Sequence, residues 1–172
     1  MIPKKDNIIN QLTDTIIHKK LVLDSCFIMS GYLCSNDQND LALELLKRAS
    51  THDMSKFDKK ELINLSSLPS NKGAFKDPNS EMSEEEIDLI KLHWKHNSHH
   101  PEYFENYEDM SELDMLEMIC DWHARSVQFN TNFLEFVRTR QENRFHFNKN
   151  QFNYIYEYCE KLDKLYKESI NK

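Results

Sequence analysis

Ser111-Glu112-Leu113-Asp114-Met115-Leu116-Glu117-Met118-Ile119-Cys120-Asp121-Trp122-His123-Ala124-Arg125-Ser126-Val127 carries the most direct fold signal in the chain. A serine followed three residues later by an acid is a reciprocal helix start. The hydroxyl accepts from the third amide of the new helix, and the acid bonds back to the cap. Met115, Ile119, Trp122 and Val127 then recur at helical spacing, which predicts a long helix reaching about Arg138. Ser83-Glu84-Glu85-Glu86 is the same signature and predicts a helix over about 84–97.

The rest of the chain agrees. Only two glycines and four prolines occur in 172 residues, and no Val/Ile/Thr-rich run alternates with period two, so the chain reads as all-α. A first helix is expected from about Asp6 into the low thirties, with Ile8, Ile9, Leu12, Ile16, Leu23 and Phe27 at helical spacing, loosened by Gly31 and by Asn36–Asn39. Further helices are expected over Asn39–His52, Lys59–Leu68 (stopped by Pro69) and about 149–169. Residues 69–82, with Pro69, Gly73 and Pro78, read as an internal loop. Length and composition suit one domain over 1–172, a helical bundle around a single core.

With 22 basic and 29 acidic residues the formal charge is -7, which argues against a nucleic-acid backbone or an anionic membrane as the main partner. No stretch approaches the roughly 18 uninterrupted apolar residues of a membrane span. Polar residues interrupt the chain every few positions from Met1–Asn7 onward, so the apolar run of a secretory signal is lacking. Cys26, Cys34, Cys120 and Cys159 form no Cys-x-x-Cys pair and read as reduced thiols of a cytoplasmic protein.

Four of the eight histidines fall between positions 93 and 100, in His93-Trp94-Lys95-His96-Asn97-Ser98-His99-His100-Pro101-Glu102. His93, His96 and Asn97 share one helix face, with His99 and His100 just past its end, an arrangement that suits a transition metal. The alternative is an exposed polar helix end. His52-Asp53 is a weak signal alone. His18 lies in an apolar helix, and Asp121 stands where the pattern predicts core, so a buried carboxylate there needs a partner. A salt bridge from Asp121 to Arg125 and a hydrogen-bonded core histidine at 18 are the bland readings.

Taken in order, His18, His52-Asp53, His93, His99-His100 and Asp121 resemble the HD-domain metal-dependent phosphohydrolase superfamily, which is named for that doublet and folds as a helical bundle. More narrowly, His-Asp-x-Ser-Lys-Phe, His-x-x-His-Asn-x-His-His-Pro-Glu and Glu-Met-x-Cys-Asp-Trp are similar to a small uncharacterised family of bacteria and their phages. Ser98 departs from it, since that family usually has Pro there. The resemblance covers about residues 15–130 and implies hydrolysis of a phosphomonoester or phosphodiester, in a small-molecule substrate such as a nucleotide or cyclic nucleotide.

On this reading His18, His52 and Asp121 hold one divalent ion, Asp53 bridges, and His93 with His99 or His100 holds a second. Mixed nitrogen and oxygen ligands suit Mn, Fe, Ni, Co or Zn. Two such ions about 3.5–4 Å apart make a bridging hydroxide at neutral pH. Lys56, at the superfamily's doublet-x-x-Lys spacing, offers a cation to the phosphate. His96 either protonates the leaving oxygen or hydrogen-bonds a ligand histidine from behind. Glu61, Glu102 and Glu117 are weaker supporting candidates. Two rivals remain: a di-iron oxygenase using the same cage, and a metal-stabilised module that binds a ligand or protein without turnover. Trp94, Tyr103, Phe104 and Tyr107 read as core or pocket wall, the tyrosines of the last helix as ordinary packing, and Arg138, Arg140 and Arg144 as a solvated helix end.

Overall fold

The computed structural model describes residues 3–68 and 82–171. These form a single-domain helical bundle with no strand among the described residues: α1 (Lys5–Cys34), α2 (Asn39–Thr51), α3 (Lys59–Ser66), α4 (Glu84–His96), α5 (Glu112–Phe129), α6 (Phe133–Arg140) and α7 (Lys149–Ile170). Short 3-10 turns lie at Met54–Phe57, Pro101–Tyr103 and Tyr107–Asp109, and a π turn at Gln141–Phe145. Apart from Met82, the loop expected over residues 69–82 lies outside the described residues. None of the described helices is long and apolar enough to cross a membrane.

Both capping boxes form. Ser83 accepts from the Glu86 amide while Glu86 bonds back, and Ser111 does the same with Asp114. From Asp114 to Ala124 every residue of α5 is buried, as befits a helix surrounded on all sides. Leu116, Ile119 and Cys120 of α5 meet Val22, Cys26 and Met29 of α1, Leu45 of α2 and Ile155, Cys159 and Leu162 of α7 in one core. Trp122 stacks on Phe145 with ring centroids 5.7 Å apart and closes the core's α6 end.

The structure corrects the sequence-based expectations at α1, at the end of α5 and at the arginines. Half of the apolar residues that mark α1 lie off its buried face: Ile9, Ile16 and Phe27 are 48%, 60% and 59% exposed, while Leu23 packs against the core. The buried face runs through Thr15, His18, Val22, Ser25, Cys26, Met29, Ser30 and Leu33. Its hydroxyls are satisfied: Thr15 and Ser25 donate to the carbonyls of Gln11 and Leu21 four residues back, Ser25 Oγ also lies 2.9 Å from His123 Nδ1, and Ser30 donates to the Ala42 carbonyl of α2. Gly31 does not loosen the helix, which ends at Cys34, three residues later. The helix opened by Ser111 stops at Phe129 rather than near Arg138. Asn130 takes the left-handed conformation at φ 52°, and Asn132 caps α6 by accepting from the Glu135 amide. Arg140 and Arg144 are not a solvated end either: Arg140 is buried against Phe136, and Arg144 pairs with Glu102 and lies over Trp94.

Candidate metal centre

α2 ends one residue early, and that sets the geometry of the doublet. His52 is extended (φ -48°, ψ 130°) and Asp53 is left-handed (φ 57°, ψ 19°), so the two side chains leave a kinked turn instead of a helix and can converge. Lys19 Nζ donates to the His52 carbonyl, and the Lys56 amide to the Asp53 carbonyl at 3.0 Å. α1 brings His18 to this turn and α5 brings Asp121. At the end of α4, Asn97 is extended and bonds Ser55 Oγ at 2.9 Å, tying the histidine-rich turn to the doublet's turn.

Asp53 lies between two groups of side chains. Its Oδ2 is 3.7 Å from His18 Nε2 and 3.4 Å from His52 Nε2; its Oδ1 is 3.4 Å from His93 Nε2 and 3.6 Å from His99 Nε2. His18, His52 and Asp121 form one set able to hold a metal ion, and Asp53, His93, His99 and His100 a second. Within the first, Asp121 Oδ1 lies 2.7 Å from His18 Nε2 and 3.8 Å from His52 Nε2. Within the second, the Nε2 atoms of His93 and His100 are 2.8 Å apart. Within each set the ligand atoms all lie within 4.8 Å of one another, close enough to converge on one ion.

The hydrogen-bond pattern carries the same message. His18 Nε2, His52 Nε2, His99 Nε2 and Asp53 Oδ1 are buried without a hydrogen-bond partner, and all face this point. Buried polar atoms are ordinarily satisfied, so several orphans aimed at one place fit an ion. Three of the opposite ring nitrogens are held, whereas His18 Nδ1 has no hydrogen-bond partner. His52 Nδ1 lies 2.8 Å and His99 Nδ1 3.4 Å from Glu117 Oε1, and His93 Nδ1 lies 2.6 Å from Glu61 Oε1. A carboxylate behind a ligand imidazole fixes its tautomer and turns the bare Nε2 inward. Glu117, His52 and His99 are also close enough to hold an ion. Here, though, both Glu117 oxygens are engaged: Oε1 by the histidines and Oε2 in an ion pair with Arg48 Nε at 2.6 Å.

Charge follows from this packing. Burial disfavours the proton on His18, and nearby Arg125 adds to that, bringing its pKa to about 3. Burial likewise lowers His93 and His100, helped by Lys56 for the first and by His99 for the second. His52 goes the other way: burial opposes its proton, but Asp53, Asp121 and Glu117 outweigh it. Asp53 and Asp121 are held well below the carboxylate range despite burial, Asp53 by His52, Lys56 and His93, and Asp121 by His18 and His52. Lys56 Nζ stands 2.5 Å from Asp53 Oδ2.

Residues 7–167 match a family of unknown function, DUF5662. The chain belongs to that family. No curated protein and no solved structure matches the chain.

The matched span of this DUF5662 chain includes every residue singled out from the sequence as a ligand. The structure brings His18, His52, Asp53, His93, His99, His100 and Asp121 together with Lys56. His96 stands apart: its side chain is 44% exposed, and Nδ1 lies 3.2 Å from Glu61 Oε2, behind His93 rather than beside Asp53. Glu102 is drawn off to Arg144. Arg125, the partner of Asp121 on the bland reading, pairs with Asp14 at 2.9 Å instead. Sequence reasoning missed Arg48, Ser55, Ser98 and Asp114. Arg48 reaches Asp114 Oδ1 and Ser98 Oγ, both at 2.7 Å, and only the fold brings these distant positions together.

Proposed function

We propose that this protein is a metal-dependent phosphohydrolase of the HD type, acting on a phosphomonoester or phosphodiester of a small molecule, with nucleotides and cyclic nucleotides as the substrate class. The observation that carries this reading is the Asp53 carboxylate, each of whose oxygens faces its own set of imidazoles while Lys56 lies against one of them. Two divalent transition-metal ions held there would supply a deprotonated water nucleophile at neutral pH and Lewis-acid charge for the phosphoryl oxygens.

The chain's own residues do the rest. Glu117 and Glu61 keep His52, His99 and His93 as Nδ1–H tautomers, so that each presents a lone pair inward. Asp53 and Asp121 stay ionised and offset the charge of the ions. Lys56, buried and already opposite a carboxylate, is the cation that meets a phosphoryl oxygen. His96 acts through Glu61, holding the carboxylate that orients His93.

The test is elemental analysis of protein purified without an imidazole-bearing tag, for wild type and for His52→Ala combined with Asp53→Asn, followed by assay of manganese-loaded protein on aryl phosphates, aryl phosphodiesters and nucleotides. About two equivalents of metal, lost in the variant, with release of phosphate or alcohol, supports the proposal. Metal without turnover of any phosphate ester refutes it. In that case oxygen consumption by the iron-loaded protein separates an oxygenase from a binding module.

A further inference from the structure

Two carboxylates stand behind the imidazoles, and they differ in reach. Glu61 holds His93 at 2.6 Å and His96 at 3.2 Å, so among the ligands it serves the second set alone. Glu117 touches one imidazole of each set through the same oxygen, His52 at 2.8 Å and His99 at 3.4 Å. The rings of these two histidines pack with centroids 4.4 Å apart, so a rotation of one is felt by the other. Glu117 is itself immobilised. Arg48 Nε lies 2.6 Å from Oε2, and the far end of that guanidinium is fixed by Asp114 and Ser98 at 2.7 Å each. Asp114 is in turn the acid that bonds back to the Ser111 cap at the start of α5, the helix on which Glu117 and Asp121 both lie.

We infer that Glu117, clamped by Arg48, is the positioning residue common to both halves of the metal centre and sets the affinity of both without ligating either. The inference rests on the metal-centre reading above. Outer carboxylates of this kind govern metal affinity by factors of about 10–100. What is particular here is the distribution: removing the Glu117 charge disorders one ligand on each side of Asp53, whereas removing the Glu61 charge disorders a ligand on one side only. Arg48 touches no imidazole in this arrangement, so whatever it contributes passes through Glu117 and the Asp114–Ser98 anchor.

The experiment is a titration of the metal-free full-length protein with cobalt(II), followed by its visible absorption. Wild type is expected to take up two equivalents. Glu117→Gln is expected to weaken both by about 10–100-fold, and Glu61→Gln to weaken one by that factor and leave the other within about threefold. Arg48→Ala is expected to weaken both, and Arg48→Ala combined with Glu117→Gln to bind no worse than Glu117→Gln alone, because neighbours acting through one contact do not add. Circular dichroism checks the fold of each variant. If Glu117→Gln does not fold, Arg48→Lys, which keeps the charge and loses the fork, is expected to weaken both equivalents by a smaller factor. Either equivalent at wild-type affinity in Glu117→Gln or Arg48→Lys overturns the inference, as does full additivity of the Arg48 and Glu117 changes. Wild type binding no cobalt is a separate result that overturns the metal reading itself.

Discussion

Lys56 Nζ lies 2.5 Å from Asp53 Oδ2, with the lysine side chain 8% and the aspartate 1% exposed. An ion pair this deep has lost most of its hydration, so each charge depends on the other. Asp53 turns one oxygen to the inward Nε2 atoms of each set of imidazoles, and the cation therefore stands at the middle of the centre.

Replacing Lys56 by Met separates the two roles of that cation. In metal-free protein the change strands a buried carboxylate and is expected to cost about 3–5 kcal/mol in urea unfolding. Manganese is expected to restore most of this, because an ion takes over the neutralisation of Asp53. Metal content should stay at the wild-type level while phosphate-ester turnover falls about 10²–10³-fold. Full turnover in Lys56→Met would remove the lysine from the reaction.

Asp53 is best tested with Asn, not Ala, because its backbone is left-handed at φ 57° and Asn tolerates that region. Asp53→Asn is expected to lose both equivalents of metal by elemental analysis and to retain the wild-type helical circular dichroism. His146→Ala, at another left-handed position outside the cluster, is expected to keep both equivalents at a stability cost of about 1–2 kcal/mol. One equivalent retained in Asp53→Asn would show that the carboxylate serves a single ion.

Most of this centre was legible in the sequence because its ligands are chemically rare. Histidines at 93, 99 and 100 and a lone aspartate inside Met118–Trp122 stand out wherever the helices lie. The supporting layer was not legible, since Arg48, Ser98 and Asp114 are ordinary surface types that acquire a role only when α2, the turn after α4 and the start of α5 meet. The helices were readable from caps and breakers. Which face of α1 is buried was not: hydrophobicity points to Ile9, Ile16 and Phe27, whereas burial selects the face that delivers His18, lined by hydroxyls that bond carbonyls of α1 and α2. The break after Phe129 had a signal in Asn130-Thr131-Asn132, a left-handed cap followed by an N-cap, that the apolar run through Val127 masks.

Stability of the metal-free protein should depend on pH in a definite direction. His18, with a pKa lowered from 6.5 to about 3, and His93 and His100, also lowered, bind fewer protons folded than unfolded. Their contribution is present above pH 6.5 and is lost as pH falls from there towards their folded values. Each proton taken up costs about 1.4 kcal/mol per pH unit. Asp53 and Asp121, also lowered, add to the loss below about pH 4. His52 is raised, so its contribution is complete below 6.5 and fades as pH climbs through its folded value. Urea unfolding of metal-free protein is therefore expected to weaken steadily from pH 6.5 to 4. A flat profile over that range would mean these imidazoles are not buried neutral.

Asn130 offers a test of the fold independent of any metal. At φ 52°, as the residue that ends α5, it should accept Gly with little change, within a few tenths of a kcal/mol, because Gly carries no Cβ penalty there. Ala at the same position is expected to destabilise by about 1–2 kcal/mol, the cost of forcing an ordinary residue left-handed. Had one helix run unbroken from Glu112 to about Arg138, the order would reverse, with Ala the better residue and Gly worse by about 1 kcal/mol. Thermal or urea unfolding of the two variants reads the sign directly, and Ala more stable than Gly would restore the single long helix.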